Sequence, residues 1–296
     1  MNKYEQWKYN FGALPRQDYK LAKIAIFQFP YDSTTSFGSG TKEGPAAIVR
    51  SSRFLDEMSV DDNGRLLEGM LDTDIFLLDE FILSRNSAKE AVEGVEQAIG
   101  DWAVSKGKFP LVLGGEHSIT SGVTSALKPK NKNFGVLQID AHTDFLNTFE
   151  GSKYSHACVM RRIFEQKLKI TQVGIRNENS EIKEFLSRAS TKKQVTTFYG
   201  TDMPIQKILK SLPKDVYITI DLDGLDPSIM PSVGTPEPGG LLWQDLLMLL
   251  ESVFKSKNVI GVDMVELAPI PGLTAPDFLA AKLAYEIIKN TLKRKI

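Results

Sequence analysis

Eight short apolar runs punctuate the chain, at residues 23–30, 74–79, 110–113, 134–139, 170–175, 195–198, 216–221 and 258–263. Their length and their content of branched and aromatic side chains predict strands. Helical patterns fill most of the gaps. Residues 87–106 bring Ala91, Val92, Val95, Ala98, Ile99 and Trp102 onto one face. Residues 275–293 do the same for Phe278, Leu279, Leu283, Ile287 and Ile288, with Lys282, Lys289 and Lys293 on the solvated side. Strands that alternate with helices predict an α/β fold: a three-layer α/β/α arrangement around a mostly parallel central sheet. No linker, repeat or low-complexity segment interrupts the pattern, so residues 1–296 read as a single domain, a size α/β enzymes reach without dividing.

Composition excludes more than it assigns. Lys+Arg 36 against Asp+Glu 37 leaves a formal charge of -1, without the basic footprint of a nucleic-acid binder or an acidic tail. No run approaches the roughly 18 uninterrupted apolar residues of a membrane helix. Neither nucleic acid nor membrane is therefore an expected partner. The single Cys158 rules out an intrachain disulfide, and the opening Met-Asn-Lys-Tyr-Glu-Gln-Trp lacks the basic-then-apolar order of a secretory signal. A cytoplasmic location is the expectation.

The candidate chemistry gathers where apolar runs end. Residues 134–139 lead into Asp140-Ala-His142-Thr-Asp144. In an extended backbone, side chains at i, i+2 and i+4 point the same way about 6 to 7 Å apart, so these three can converge on a volume that holds a metal. One such triplet is equally a turn cap, a loop His and a helix start. Two further clusters change the balance. Residues 216–221 end in Asp221, with Asp223 two residues on, and residues 110–113 lead through Gly114-Gly115-Glu116 to His117 at a helix start. Carboxylates a few ångströms apart resist joint ionisation, so this gathering argues for cations among them. Four carboxylates and two imidazoles without a thiolate favour a hard-to-borderline divalent ion, and manganese suits such oxygen-rich ligation. Six ligands suit two ions sharing carboxylates, about 3.5 to 4 Å apart, able to generate a hydroxide nucleophile at neutral pH.

Other residues receive plainer readings. The segment 31–45 is a loop above the first strand's carboxyl end, where open α/β sheets place ligands. It reads as a Gly-rich connection without catalytic duty, with Pro45 opening a helix that carries Ile48 and Val49. Its Gly spacing matches neither nucleotide-binding motif. Glu116 is expected to be structural, Asp226 before Pro227 to hold a turn, Cys158 to be a small buried residue, and Arg161 and Arg162 to lie on a helix surface.

Gly-Gly-Glu-His117-Ser, Asp140-Ala-His142-Thr-Asp144, Ser155-His156 and Asp221-Leu-Asp223-Gly-Leu-Asp226-Pro, in that order, resemble the metal and active-site motifs of the ureohydrolases, the arginase and agmatinase superfamily. The segment 31–45 matches the same family's early signature. The resemblance implies an arginase-like fold and hydrolysis of a guanidino compound to urea and an amine, with two Mn2+ per chain. One ion would take His117, Asp140, Asp144 and Asp221; the other would take His142, Asp140, Asp221 and Asp223, with Asp140 and Asp221 bridging. It implies proton transfer by His156, orientation of the nucleophile by Asp144 and a grip on the guanidinium by Glu266, whose carboxylate can pair with a planar cation through two parallel hydrogen bonds. The spacing from Asp144 to Tyr154-Ser155-His156, Met160-Arg161-Arg162, and the segment 234–241 are most similar to agmatinases, which cleave agmatine to urea and putrescine. Asn177-Glu178-Asn179 departs from their commonest pattern. Arginine, other guanidino acids and formiminoglutamate are the alternative substrates. A one-zinc deacetylase of the same fold and a catalytically silent metal-binding scaffold are the rival classes. The resemblance also implies a homo-oligomer, a trimer or a hexamer.

Overall fold

The computed structural model describes residues 9–13, 18–55 and 74–293. The N-terminal stretch 1–7, read above against a secretory signal, lies outside them. The strands are β1 (Ile24–Phe29), β2 (Ile75–Glu80), β3 (Phe109–Gly114), β4 (Gly135–Ile139), β5 (Lys169–Ile175), β6 (Val195–Tyr199), β7 (Asp215–Asp221) and β8 (Asn258–Val265). The helices are α1 (Gly44–Ser52), α2 (Ala88–Trp102), α3 (Thr120–Leu127), α4 (Val159–Glu165), α5 (Ser180–Ser187), α6 (Ala189–Lys192), α7 (Ile205–Ser211), α8 (Trp243–Ser256) and α9 (Ala275–Lys293).

All eight strands join one sheet in the order β2-β1-β3-β8-β7-β4-β5-β6, and every pairing is parallel. Alternate side chains feed two cores, as a pleated strand buried on both faces requires. Ile24, Ile26, Leu111, Leu113, Leu137, Ile139, Ile218 and Ile220 pack with α1, α7, α8 and α9. Ala25, Phe27, Phe29, Val112, Val136 and Tyr217 pack with α2, α3, α4 and α5. This is the expected α/β/α sandwich. Local signals set the helix starts: Ser87 Oγ accepts from the Glu90 amide at 3.2 Å, Asn179 Oδ1 from the Ile182 amide at 2.9 Å, and Pro45 stands in the first turn of α1. No helix among the described residues is long and apolar enough to cross a membrane.

Two expected core residues are on the outside. Trp102 is 43 % exposed and Phe278 is 44 % exposed, because each sits at an end of its helix, where the apolar stripe runs past the sheet it covers. One expected surface cation is inside. Arg162 is buried and reaches Asn147 O, Asn147 Oδ1 and Glu165 Oε1, so its charge is met by Glu165 on its own helix and by acceptors of the loop after β4. Arg161 lies over the Phe185 ring at 3.8 Å.

The topology places the site. β3 and β4 are separated in the sheet by β8 and β7, so the chain crosses over between them and opens a crevice above the carboxyl ends of the central strands. Register keeps those ends level, with Phe29 beside Gly114, Asp221 beside Val265 and Ile139 beside Ile220.

Candidate metal centre

Each central strand delivers its chemistry in the first residues past its end. His117 follows β3, Asp140, His142 and Asp144 follow β4, Asp221 closes β7 with Asp223 in the next turn, and Glu266 follows β8. Two glycines let these turns close up. A Cβ on Gly115 would lie 1.9 Å from Tyr31 O, and one on Gly224 would lie 2.8 Å from the Asp140 amide nitrogen. The three residues after β4 do converge, but not by the strand alternation expected from the sequence. The strand stops at Ile139, and Asp144 reaches the others from a left-handed backbone (φ 52). Glu266 is also left-handed (φ 68). Non-glycine residues hold such conformations at a cost of order 1–3 kcal/mol, and they concentrate at functional sites.

Two groups of side chains are close enough to hold an ion: His117, Asp140, Asp144 and Asp221, and Asp140, His142 and Asp223. His117 Nδ1 is 3.3 Å from Asp140, 3.0 Å from Asp144 and 3.2 Å from Asp221. None of these contacts has hydrogen-bond geometry, so this buried nitrogen is without a partner. Its tautomer follows from the other side of the ring. Thr219 Oγ1 donates to Asp263 Oδ1 at 2.5 Å and must therefore accept from His117 Nε2, 2.8 Å away. Nε2 carries the hydrogen, and the Nδ1 lone pair faces three carboxylates, an arrangement suited to a bound metal cation. In the second group His142 Nδ1 is 2.8 Å from Asp223 Oδ2 and 3.8 Å from Asp140 Oδ1. Asp140 is common to both groups, whereas Asp221, expected to bridge as well, enters the first alone; its Oδ1 accepts the Asp223 amide at 2.9 Å.

Charge states without an ion show the same need. Burial, then the Asp223 and Asp144 charges, raise Asp140 to about 7, and burial with Asp223 raises Asp221 well above the usual carboxylate range. Burial opposes charge on both imidazoles, yet the surrounding carboxylates raise His142 to about 10 and His117 well above 6.5. Asp223 goes the other way. Burial is outweighed there by the His142 contact, and its pKa falls to about 2. Protons would do the neutralising that divalent ions can do.

The groups border a cavity of about 140 Å³, lined by His142, Asp144, Asp221, Asp223, His156 and Glu266, with Phe37 and Phe149 among its apolar walls. Glu266 Oε1 accepts the His117 amide at 2.6 Å; burial, then Glu116, push its carboxyl well above the ordinary value. The loop after β1 is not the idle connection expected, because Thr35, Ser36, Phe37 and Gly38 line the cavity. Glu116 belongs to neither group and is fully buried, accepting from Thr34 and Ser118, and Asp226 accepts amides of Ser228, Gly239 and Gly240 to hold its turn. Cys158 is buried, which raises its thiol to about 11.

Several supporting residues escaped the sequence reading. Asp263 also accepts from Thr120 and Tyr217. Gln138 Nε2 donates to Asp140 Oδ2 at 2.6 Å and is itself held by Gln172. Arg176 fastens the turn after β7 to the segment 234–241, donating to Asp223 O and Glu237 O. The available signal was a lone polar residue inside an apolar strand: Gln138, Thr219 and Asp263 fit it, whereas Gln172 has polar Thr171 beside it.

The fold and this site define a hydrolase built for a metal centre at the carboxyl edge of a parallel sheet. The model of the arginase family matches residues 22–289, and the chain belongs to that family. It is 35 % identical over 280 residues to an N(1)-aminopropylagmatine ureohydrolase of Synechocystis, covering 91 % of this chain and 89 % of that one. It is 32 % identical to an agmatinase of Pyrococcus horikoshii over 93 % of this chain and 94 % of the relative. The crystal structure of the agmatine ureohydrolase of Thermoplasma volcanium superposes with a TM-score of 0.81 at 30 % identity, over 99 % and 98 % of the two chains. Within the family the chain is an agmatinase-like ureohydrolase, a hydrolase of C–N bonds in linear amidines.

Proposed function

We propose that this ureohydrolase cleaves agmatine to urea and putrescine, with two manganese ions per chain. The observation that carries the substrate assignment is the charge of the cavity wall. It offers carboxylates to a guanidinium, and no Lys or Arg among the described residues lines it to meet an α-carboxylate. Arg176, which fastens the turn after β7, is committed to backbone carbonyls. Arginine would bury its carboxylate against acidic groups, whereas agmatine has none.

His117, Asp140, Asp144 and Asp221 would hold one ion and Asp140, His142 and Asp223 the other, a set whose oxygen-rich donors and orphaned Nδ1 suit manganese. Such a pair supplies Lewis acidity and a water acidified to near-neutral pKa. Glu266, on the cavity wall, pairs with the guanidinium cation. Asp144 orients the attacking water. His156 carries the proton that the leaving amine requires, as an imidazole suits at neutral pH.

A second reading extends the substrate. The 35 % identical relatives from Synechocystis and Thermus thermophilus are named for N(1)-aminopropylagmatine, and the cavity wall at Phe37, 85 % exposed, is open to solvent. Urea release from agmatine, N(1)-aminopropylagmatine, arginine and guanidino acids with manganese present tests both. Agmatine is expected to exceed arginine in kcat/KM; a higher value for arginine overturns the assignment.

A further inference from the structure

The loop after β1 supplies a hydroxyl that the metal-ligand motifs do not include. Thr34 Oγ1 donates to Glu116 Oε1 at 2.7 Å, and the Thr34 amide donates to Glu116 Oε2 at 2.6 Å. Glu116 is fully buried and takes a third hydrogen bond from Ser118 Oγ at 2.6 Å. Turning the Thr34 hydroxyl elsewhere would leave a buried carboxylate short of a donor, so its one hydrogen stays with Glu116. Only acceptor capacity remains on Oγ1. The His156 amide uses part of it at 3.0 Å, and His156 Nδ1 lies 3.2 Å from the same oxygen. That second contact is attractive only when Nδ1 bears a hydrogen. Ser155 Oγ, 3.3 Å from Nδ1, can rotate to accept as well. Phe149 packs edge-on to the imidazole, with ring centroids 5.7 Å apart.

We propose that Thr34, held by Glu116, is a positioning residue that fixes neutral His156 with its hydrogen on Nδ1, leaving Nε2 to exchange protons with the reacting groups. This rests on the reading of His156 as the proton carrier. Nε2 takes the proton released as water adds to the guanidinium carbon. It returns that proton to the amine nitrogen as the C–N bond breaks, and the water's second proton leaves the urea oxygen to solvent as the C=O forms, so the imidazole ends neutral with Nδ1–H unchanged. A His156 free to take the other tautomer would present a hydrogen where a lone pair is needed.

The test is steady-state urea release by the manganese-loaded protein, on agmatine or the fastest guanidino compound of the panel. Thr34→Val keeps the volume and removes the hydroxyl. Its kcat is expected to fall by about tenfold or more, with KM within about twofold and manganese content unchanged. Thr34→Ser, which restores the hydroxyl, should return kcat to within about threefold of the natural protein. His156→Asn should lose about a hundredfold or more, and adding Thr34→Val to it should cost under about twofold further, because the group to be positioned is gone. Thr34→Val with kcat near the natural value beside an inactive His156→Asn overturns the positioning role alone. A loss in the double variant as large as in the single one, or a Thr34→Val protein that sheds manganese or its thermal transition, makes Thr34 structural and overturns it too. Full activity in His156→Asn instead removes the proton carrier, and the Thr34 assignment falls with it.

Discussion

Glu266→Gln separates substrate binding from metal binding. The side chain is 8 % exposed and borders the cavity, and its Oε1 accepts the His117 amide at 2.6 Å. Glutamine keeps the size and that acceptor, so the backbone of a proposed ligand stays in place. It removes the negative charge that a bound guanidinium would stabilise on the carboxyl. A guanidinium would then lie in a desolvated pocket without its counter-ion, which costs about 2 to 5 kcal/mol. At about 1.4 kcal/mol per decade this is roughly 30-fold to several thousand-fold in kcat/KM. Urea release against substrate concentration gives that ratio, and elemental analysis of the same preparation gives its manganese. The expected result is the loss of activity with near-natural metal content. A loss under about threefold would make Glu266 a structural carboxylate, and a parallel loss of manganese would put it among the ligands.

Thr219→Val removes the acceptor that fixes the His117 ring and one of three donors to buried Asp263. Manganese affinity in a chelator-competition titration should fall by about 10- to 100-fold; an unchanged affinity refutes the tautomer argument. Without metal, the folded protein binds protons more tightly than the unfolded chain at Asp140 (3.8 to about 7) and His142 (6.5 to about 10). Stability from a raised pKa is present below the unfolded value and lost as pH rises through the folded one. Asp223, lowered to about 2, acts oppositely but only in acid. The gap in Tm between manganese-loaded and chelator-treated protein should therefore widen from about pH 5 to about pH 8, and a narrowing gap refutes this reading of the cluster.

The layered sheet was legible because strands buried on both faces read as apolar runs, and the clustered His and Asp residues because carboxylates at two strand ends and a histidine after a third point to one shared volume. The path of the backbone between them was not. Alternation was expected to carry Asp140, His142 and Asp144 to one point, but a left-handed Asp144 does so, and no local rule announces that an aspartate will adopt it. Thr34 was hidden for another reason. It lies 82 residues from Glu116 and 122 from His156, and its role exists only once the sheet has brought β1 and β3 side by side. Phe278 and Trp102 failed because helical periodicity names a face without saying where the neighbouring layer ends.

The central claim is a paired manganese site that hydrolyses a guanidino group, and one titration tests it directly. Metal-stripped protein is titrated with manganese while urea release from agmatine is followed. Full activity is expected at two ions per chain, with Asp140→Ala unable to reach it at any manganese concentration. Saturation at one ion per chain, turnover that survives in Asp140→Ala, or full metal binding without urea from any guanidino compound would contradict the account.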